Sequence, residues 1–449
     1  MPCPVAHVWP IDSPPCDATS TLQECVDGAN SGDAVKIATN GPISESISFE
    51  KSLTLGAAQG FTPVFSAGNV IKAILTNTDS TSIRIEGLTL QDGYIYVVQE
   101  GSGSLTVDIV NNLIEQDTTP TDGGFGGPVF EAIGIQAITA GAATGPMSFF
   151  VAGNTVSFPV VPPLCGGSPC TAEGISIFSN ASSSSGLVTG NILTMSLAGS
   201  TAIDLSSLSA DLTVDVTRNH ISGIGYDAGI ELFSEGTGTL TARVLDNLVS
   251  GEHSSQGDGA ITADASSDPL GGTGAIQFAI ANNTIARDDT AIRVRRERGP
   301  QGQLGTVAGS IANNALTGNF YGLDVDPALV GTVSDHSNLF FDNTADVASG
   351  IVGLNSILAD PLYDGSTDYH LKSGSPAIDA GDDSAVPATD LEGNPITDLD
   401  GHPRVQGAHV DIGVYETAPE PDAQTLAVSA LVTLLGVMGR GTATPGGRK

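Results

Sequence analysis

The densest positive charge in this acidic chain lies between positions 293 and 298, where Arg293, Arg295, Arg296 and Arg298 flank Val294 and Glu297. If the stretch is a β-strand, its side chains alternate between two faces. With Ile292 turned inward, Arg293 and Arg295 point outward together. The same reading applied to the stretches around Ile230, Ile261 and Leu323 puts further pairs on that face. These pairs are Glu231 with Phe233, Thr262 with Asp264, and Asp324 with Asp326, and Asp204 continues the series one coil earlier. The four inward residues recur at a 31-residue step. Strands stacked at that step would lie about 4.8 Å apart, which makes the outward side chains first neighbours.

Arginine beside carboxylates is equipment for β-elimination from a polyuronate. Acidic residues hold calcium, calcium neutralises the substrate carboxylate, and an arginine takes the adjacent proton. On this reading Arg293, Arg295 and Asp264 are catalytic candidates, and Glu231, Phe233, Asp324 and Asp326 are binding candidates. A plainer reading makes the same residues a cross-strand ion-pair ladder on a solvated sheet, each pair worth roughly 0–1 kcal/mol. Asp227, Asp258 and Asp289 share the 31-residue step as well. They read as a column of turn aspartates, which needs no catalytic role.

Other chemical signals are weaker. The seven histidines show no metal-ligand spacing, and no phosphate loop or nucleophile elbow is present. Asp398 and Asp400, in Asp398-Leu399-Asp400-Gly401, are weak calcium candidates without the distal glutamate of an EF-hand. Calcium is the only cofactor that any of these groups calls for.

What positions such residues is a repeat. Asn is followed two residues on by an apolar side chain at Asn112, Asn154, Asn191, Asn219, Asn247, Asn283, Asn314 and, more loosely, Asn338. Asn tolerates left-handed turns, and stacked amides can hydrogen-bond from coil to coil. A second mark, a small residue before an inward Ile or Leu, recurs at Gly174, Ala202, Gly229, Ala260, Ala291 and Gly322. Two marks with coil-sized periods predict one solenoid of short strands. The expected fold is all-β, a right-handed parallel β-helix over residues 20–350, right-handed because parallel crossovers almost always are. Residues 1–19 read as an extension. Leu22, Val26 and Ala29 share a helical face, predicting a capping helix over the first coil edge. Over this span the chain resembles the pectate-lyase-like parallel β-helices, a resemblance of architecture only.

Residues 351–416 carry an ordered series of motifs. It runs from Asp360-Pro361-Leu362-Tyr363 through Gly374-Ser375-Pro376-Ala377-Ile378-Asp379 to Asp411-Ile412-Gly413. The series resembles the choice-of-anchor Q domain, which closes bacterial surface β-helix proteins. Residues 417–449 resemble a PEP-CTERM sorting tail, with Pro419-Glu420-Pro421, an apolar run over 426–438, and Arg440. The resemblance implies export and a sorting machinery as partner.

Composition bounds the partners. With 50 acidic against 16 basic residues the net charge is −34. Nucleic acid and anionic membrane surfaces are therefore excluded as partners. Five cysteines, with Cys165 and Cys170 in a turn-rich segment, suit a local disulfide and an oxidising compartment. No signal peptide precedes Pro2-Cys3-Pro4; a truncated start accounts for that, and a cytoplasmic protein is the rival reading. The sequence leaves the oligomeric state open. Two functions fit: an exported, surface-anchored protein binding a polysaccharide or cell-surface glycan, which the sequence favours, or a calcium-dependent enzyme acting on an acidic polysaccharide, a lyase in preference to a glycosidase.

Overall fold

The computed structural model describes residues 4–116, 129–138, 145–158, 171–196, 199–224, 228–252, 258–266, 272–297, 303–348 and 352–417. Their strands form three parallel sheets, two of 12 strands and one of 11. We name the sheet from Ala6–Trp9 to Val333–His336 sheet I, and that from Pro42–Ile43 to Ile357–Leu358 sheet II. Sheet III runs from Ile47–Phe49 to Ala345–Val347. Each coil visits sheet III, then I, then II, as in Ile95–Gln99, Leu105–Val110 and Leu113–Glu115. The chain is a parallel β-helix, as the two repeat marks predict.

Both marks have a physical basis in the structure. Ile230, Ile261, Ile292 and Leu323 are register partners and bury completely or nearly so in one continuous apolar core. Some of the small residues that precede them leave little room. A Cβ on Gly229 would stand 2.6 Å from the Ala260 carbonyl oxygen and 2.9 Å from Val249 Cγ1. The asparagines form a buried ladder at the turn from sheet I to sheet II. Each Nδ2 donates to the Oδ1 of the next, at 3.0 Å from Asn112 to Asn154 and 2.9 Å from Asn219 to Asn247. Each Oδ1 also accepts the preceding coil's backbone N–H, as Asn219 does from Asn191 at 3.0 Å. The left-handed residue is the one before the asparagine, not the asparagine itself: Asn111, Arg218, Asp246, Asn282 and Asn313 all have φ between 55° and 60°. Asparagine is therefore selected for its amide. Replacing Asn219 with Leu strands two amide donors of Asn191 and one acceptor of Asn247, so we expect a loss of about 2–3 kcal/mol in denaturant unfolding.

The N-terminal cap is the expected helix, α1 (Leu22–Gly28), closed by a Thr21–Glu24 capping box. The segment expected as an extension over residues 1–19 joins the solenoid where it is described: Ala6–Trp9 pairs with Ala34–Ile37 and opens sheet I. A disulfide joins Cys16 to Cys25 and ties that segment to the helix. The pair Cys165 and Cys170 lies outside the described residues, as do residues 418–449, where a sorting tail was expected. The solenoid also runs past residue 350, because Ile357–Leu358 is the last strand of sheet II.

The segment after it folds back along the flank. Thr397 meets Arg218, the Leu391 N–H meets Asp215, Asp382 meets Asn313, and the Val414 N–H meets Thr284. Tyr369 and Val414 pack on Leu248 and Ala286 of sheet II. Arg404 is the buried centre of this contact, 3.3 Å from both Asp246 and Glu416. Its Nε has no aligned hydrogen bond, so the Asp246 contact is an ion pair by distance alone. Among the described residues no helix is long and apolar enough to cross a membrane.

Candidate carboxylate site on the outer face of sheet III

The residues that alternate outward from sheet III stand in register over many coils. Glu231 pairs with Thr262, Thr262 with Arg293, and Arg293 with Asp324. In the next rank Phe233 pairs with Asp264 and Asp264 with Arg295. The sequence thus placed these side chains on one face, and their contacts are those of an ion-pair ladder. Arg295 meets Asp264 at 2.7 Å and Asp258 at 2.8 Å. Arg293 meets Asp324 and the Thr290 hydroxyl, each at 3.2 Å. Asp326 sits beside Arg296 at 3.4 Å instead of Arg295, and it caps the short turn Pro327–Leu329. Burial works to lower the Arg295 pKa, but the Asp264 hydrogen bond and the surrounding carboxylates hold it above its ordinary value. That is the wrong direction for a proton acceptor.

The stronger perturbation lies a few coils earlier. Glu131 and Glu173 are direct register partners, as are Asp204 and Glu231. All four side chains are half-buried. Burial, reinforced by Glu173, pushes Glu131 up to about 7. Burial also raises Glu173. Asp204 is pushed well above the carboxylate range by burial and then by Glu173 and Glu231. Glu231 rises to about 7 through burial and Asp258, against the pull of Arg295. Hydrogen bonds orient the row: Gln136 donates to Glu131 at 3.1 Å, Ser206 to Asp204 at 2.9 Å, and Thr201 to Glu231 at 3.4 Å. Beyond Glu131 the face turns apolar, with Tyr94, Tyr96 and Val98 packed together and Lys72 Nζ 5.2 Å above the Tyr94 ring.

Sequence reasoning named Asp204 and Glu231 but missed Glu131 and Glu173. A signal was present, since Glu131-Ala132-Ile133 and Glu173-Gly174-Ile175 repeat one pattern just before the inward Ile. Unequal connections between coils hid it.

The calcium candidates do not share a site. Asp398 is fully buried, and its oxygens accept the His402 and Glu416 backbone N–H groups. Asp400 instead faces His370 Nε2 at 2.9 Å. Among the described residues no three His, Cys, Asp or Glu side chains converge as metal ligands.

The raised carboxyls set a pH dependence. A carboxyl whose folded pKa exceeds its unfolded value takes up a proton on folding. Its contribution is therefore full below the unfolded pKa and lost as pH rises through the folded one. For Glu131 and Glu231 that window runs from about 4.5 to about 7, and relief of the −34 net charge acts in the same sense. We expect thermal melting several degrees higher at pH 5 than at pH 8. A melting temperature that falls on acidification over this range would show that the row is not held protonated.

Among solved structures the chain is similar to the pectate lyase Pel9A, at 14% identity over 92% of this chain and 96% of that one, with a TM-score of 0.42. It is also similar to the PL6 family alginate lyase AlyGC, at 12% identity over 93% and 59%, with a TM-score of 0.42. The A-module of a mannuronan C-5 epimerase from Azotobacter vinelandii aligns at 12% identity over 75% and 92%, with a TM-score of 0.39. The three parallel sheets already establish the architecture. At these TM-scores the likeness carries nothing about the chemistry. No protein-family model and no characterised protein matches the sequence.

Proposed function

We propose that the chain is an exported polysaccharide-processing β-helix protein that cleaves a glycosidic bond at the carboxylate row of sheet III. The observation that carries this reading is Asp204, a carboxyl flanked by carboxylates and pushed far above its ordinary range. Raising such a group favours its protonated form, which can donate a proton. Neighbouring coils lie about 4.8 Å apart. Carboxyls one or two coils from each other therefore fall within the roughly 5–9.5 Å that acid–base hydrolysis uses. Asp204 would protonate the glycosidic oxygen as its bond to carbon breaks. Glu231, one coil away and held lower by Arg295, would attack the sugar carbon as that bond breaks, and water deprotonated by Asp204 would then release the sugar from Glu231. A net charge of −34 repels a polyanion, so we favour a neutral polysaccharide over an acidic one.

The test is a panel of neutral and acidic polysaccharides incubated with the full chain, with and without calcium. New reducing ends without ultraviolet absorbance are the expected result. Unsaturated, absorbing ends would move the chemistry to elimination at Arg293 or Arg295. Binding without cleavage would leave the display function, with the ladder residues as contacts.

Export and surface attachment belong to the same reading. The Cys16–Cys25 disulfide supports an oxidising compartment, and the motif series of residues 360–416 with the tail beyond it supplies the attachment. Deleting residues 418–449 from the complete precursor should release the protein from the cell surface.

A further inference from the structure

The outer face of sheet I differs in chemistry from the rest of the molecule. Thr106, Ser148, Ser185, Thr213 and Thr241 are register partners in five successive strands and form a rank of hydroxyls along the solenoid. A second rank stands just before the strands at Ser104, Pro146, Ser183 and Asp211, where the carbonyls of the last three accept the Leu105, Met147 and Ser184 N–H groups of the coil before. In a chain with 50 acidic residues, Asp211 is the one charge among these nine positions. Thr106, Ser148, Ser183 and Ser185 are exposed. The Ser148 hydroxyl donates to Thr106 at 3.1 Å, whereas those of Ser183, Ser185 and Thr213 have no intramolecular partner among the described residues. Between the ranks lies an open trough of about 460 Å³, under which Leu105 and Met147 turn their side chains into the core.

We propose that this trough is a binding surface, separate from the carboxylate row, for a neutral, extended polysaccharide lying along the solenoid axis. Charge selects the ligand class. The trough offers no cation to hold a uronate or sulfate, while hydroxyls that both donate and accept match those of a neutral sugar. Spacing selects an extended chain, because a hydroxyl recurs every coil, about 4.8 Å on, close to the length of one extended sugar residue. The trough is concave, which suits a polymer chain better than a planar crystal face. Each hydrogen bond is weak, so retention depends on several coils acting at once.

The test uses the full chain and three insoluble probes: amorphous cellulose, chitin and mannan. At least one should retain the wild-type protein, with little loss at high salt, because no ion pair takes part. Ser148→Arg with Ser185→Arg fills the trough from exposed positions. It should cut retention at least tenfold while leaving the melting temperature and any glycosidic cleavage unchanged. If that variant folds poorly, Ser148→Ala with Ser185→Ala and Thr213→Ala removes the hydroxyls without adding bulk, and it should weaken retention severalfold. Asp204→Asn should bind as wild type does, which separates this surface from the carboxylate site. The proposal is overturned if no probe retains the protein, or if the trough variants bind normally. It is also overturned if retention follows Asp204, if the face shapes ice crystals instead, or if the arginine variant abolishes a dimer seen in sedimentation.

Discussion

Asp204→Asn should reduce polysaccharide cleavage by at least a hundredfold without destabilising the protein. A positioned general acid contributes roughly 10²–10⁴ in rate, and asparagine keeps the shape while removing the titrating proton. The stability readout separates catalysis from architecture. Asp204 lies beside Glu173 and Glu231, and all three are raised by burial. A neutral amide there relieves repulsion, so the variant should melt at or above the wild-type temperature, most clearly at pH 8. The alkaline limb of the wild-type pH–rate profile should also lie well above the ordinary carboxylate range and vanish in the variant. A variant that still cleaves at more than a tenth of the wild-type rate would remove Asp204 from the mechanism.

Arg404→Met should be the most damaging single substitution in the C-terminal segment, at about 3–5 kcal/mol. The guanidinium is 2% exposed and stands between Asp246 and Glu416, which are equally buried. It also donates to the Asp411 and Gly413 carbonyls at 3.1 and 2.9 Å. Removing it leaves two buried carboxyls without their cation and the Gly413 carbonyl without a donor, while Asn282 still donates to the Asp411 carbonyl. Burial already pushes Asp246 up to about 7 and Glu416 up to about 8. Both become neutral in mild acid, so the cost of the substitution should shrink at pH 5 and grow at pH 8. Limited proteolysis should then release residues 359–417 from the variant while the coils resist. Unfolding within about 1 kcal/mol of wild type at pH 8 would show that the segment is held by its apolar contacts alone.

How far the sequence could be read follows from what repeats and what does not. The inward Ile column and the asparagine ladder were legible because each coil must satisfy the same turn and the same core. The capping helix was legible because Leu22, Val26 and Ala29 share a face, and all are buried. The strand Ala6–Trp9 was not, since four residues between prolines resemble a linker until Ala34–Ile37 is there to pair with them. Arg293 and Arg295 drew notice because positive charge is rare in this chain. The carboxylates that carry the larger perturbation were hidden among 50 acidic residues, and only burial sets them apart. The partners of Asp398 were equally invisible, because the Glu416 N–H reaches it from 18 residues away.

The returning C-terminal segment touches the solenoid at points from Asp215 and Arg218 to Asn313, spread over successive coils. It therefore works as a ruler laid along the flank. A β-helix can in principle grow or shrink by whole coils, because each added coil offers the same edges to its neighbours. Within the measured span that freedom is lost: one extra coil would displace every later docking point by about 4.8 Å, and Arg404 would no longer meet Asp246. Changes of length in related chains should accordingly fall before Asp215, or arrive together with a matching change in the ruler.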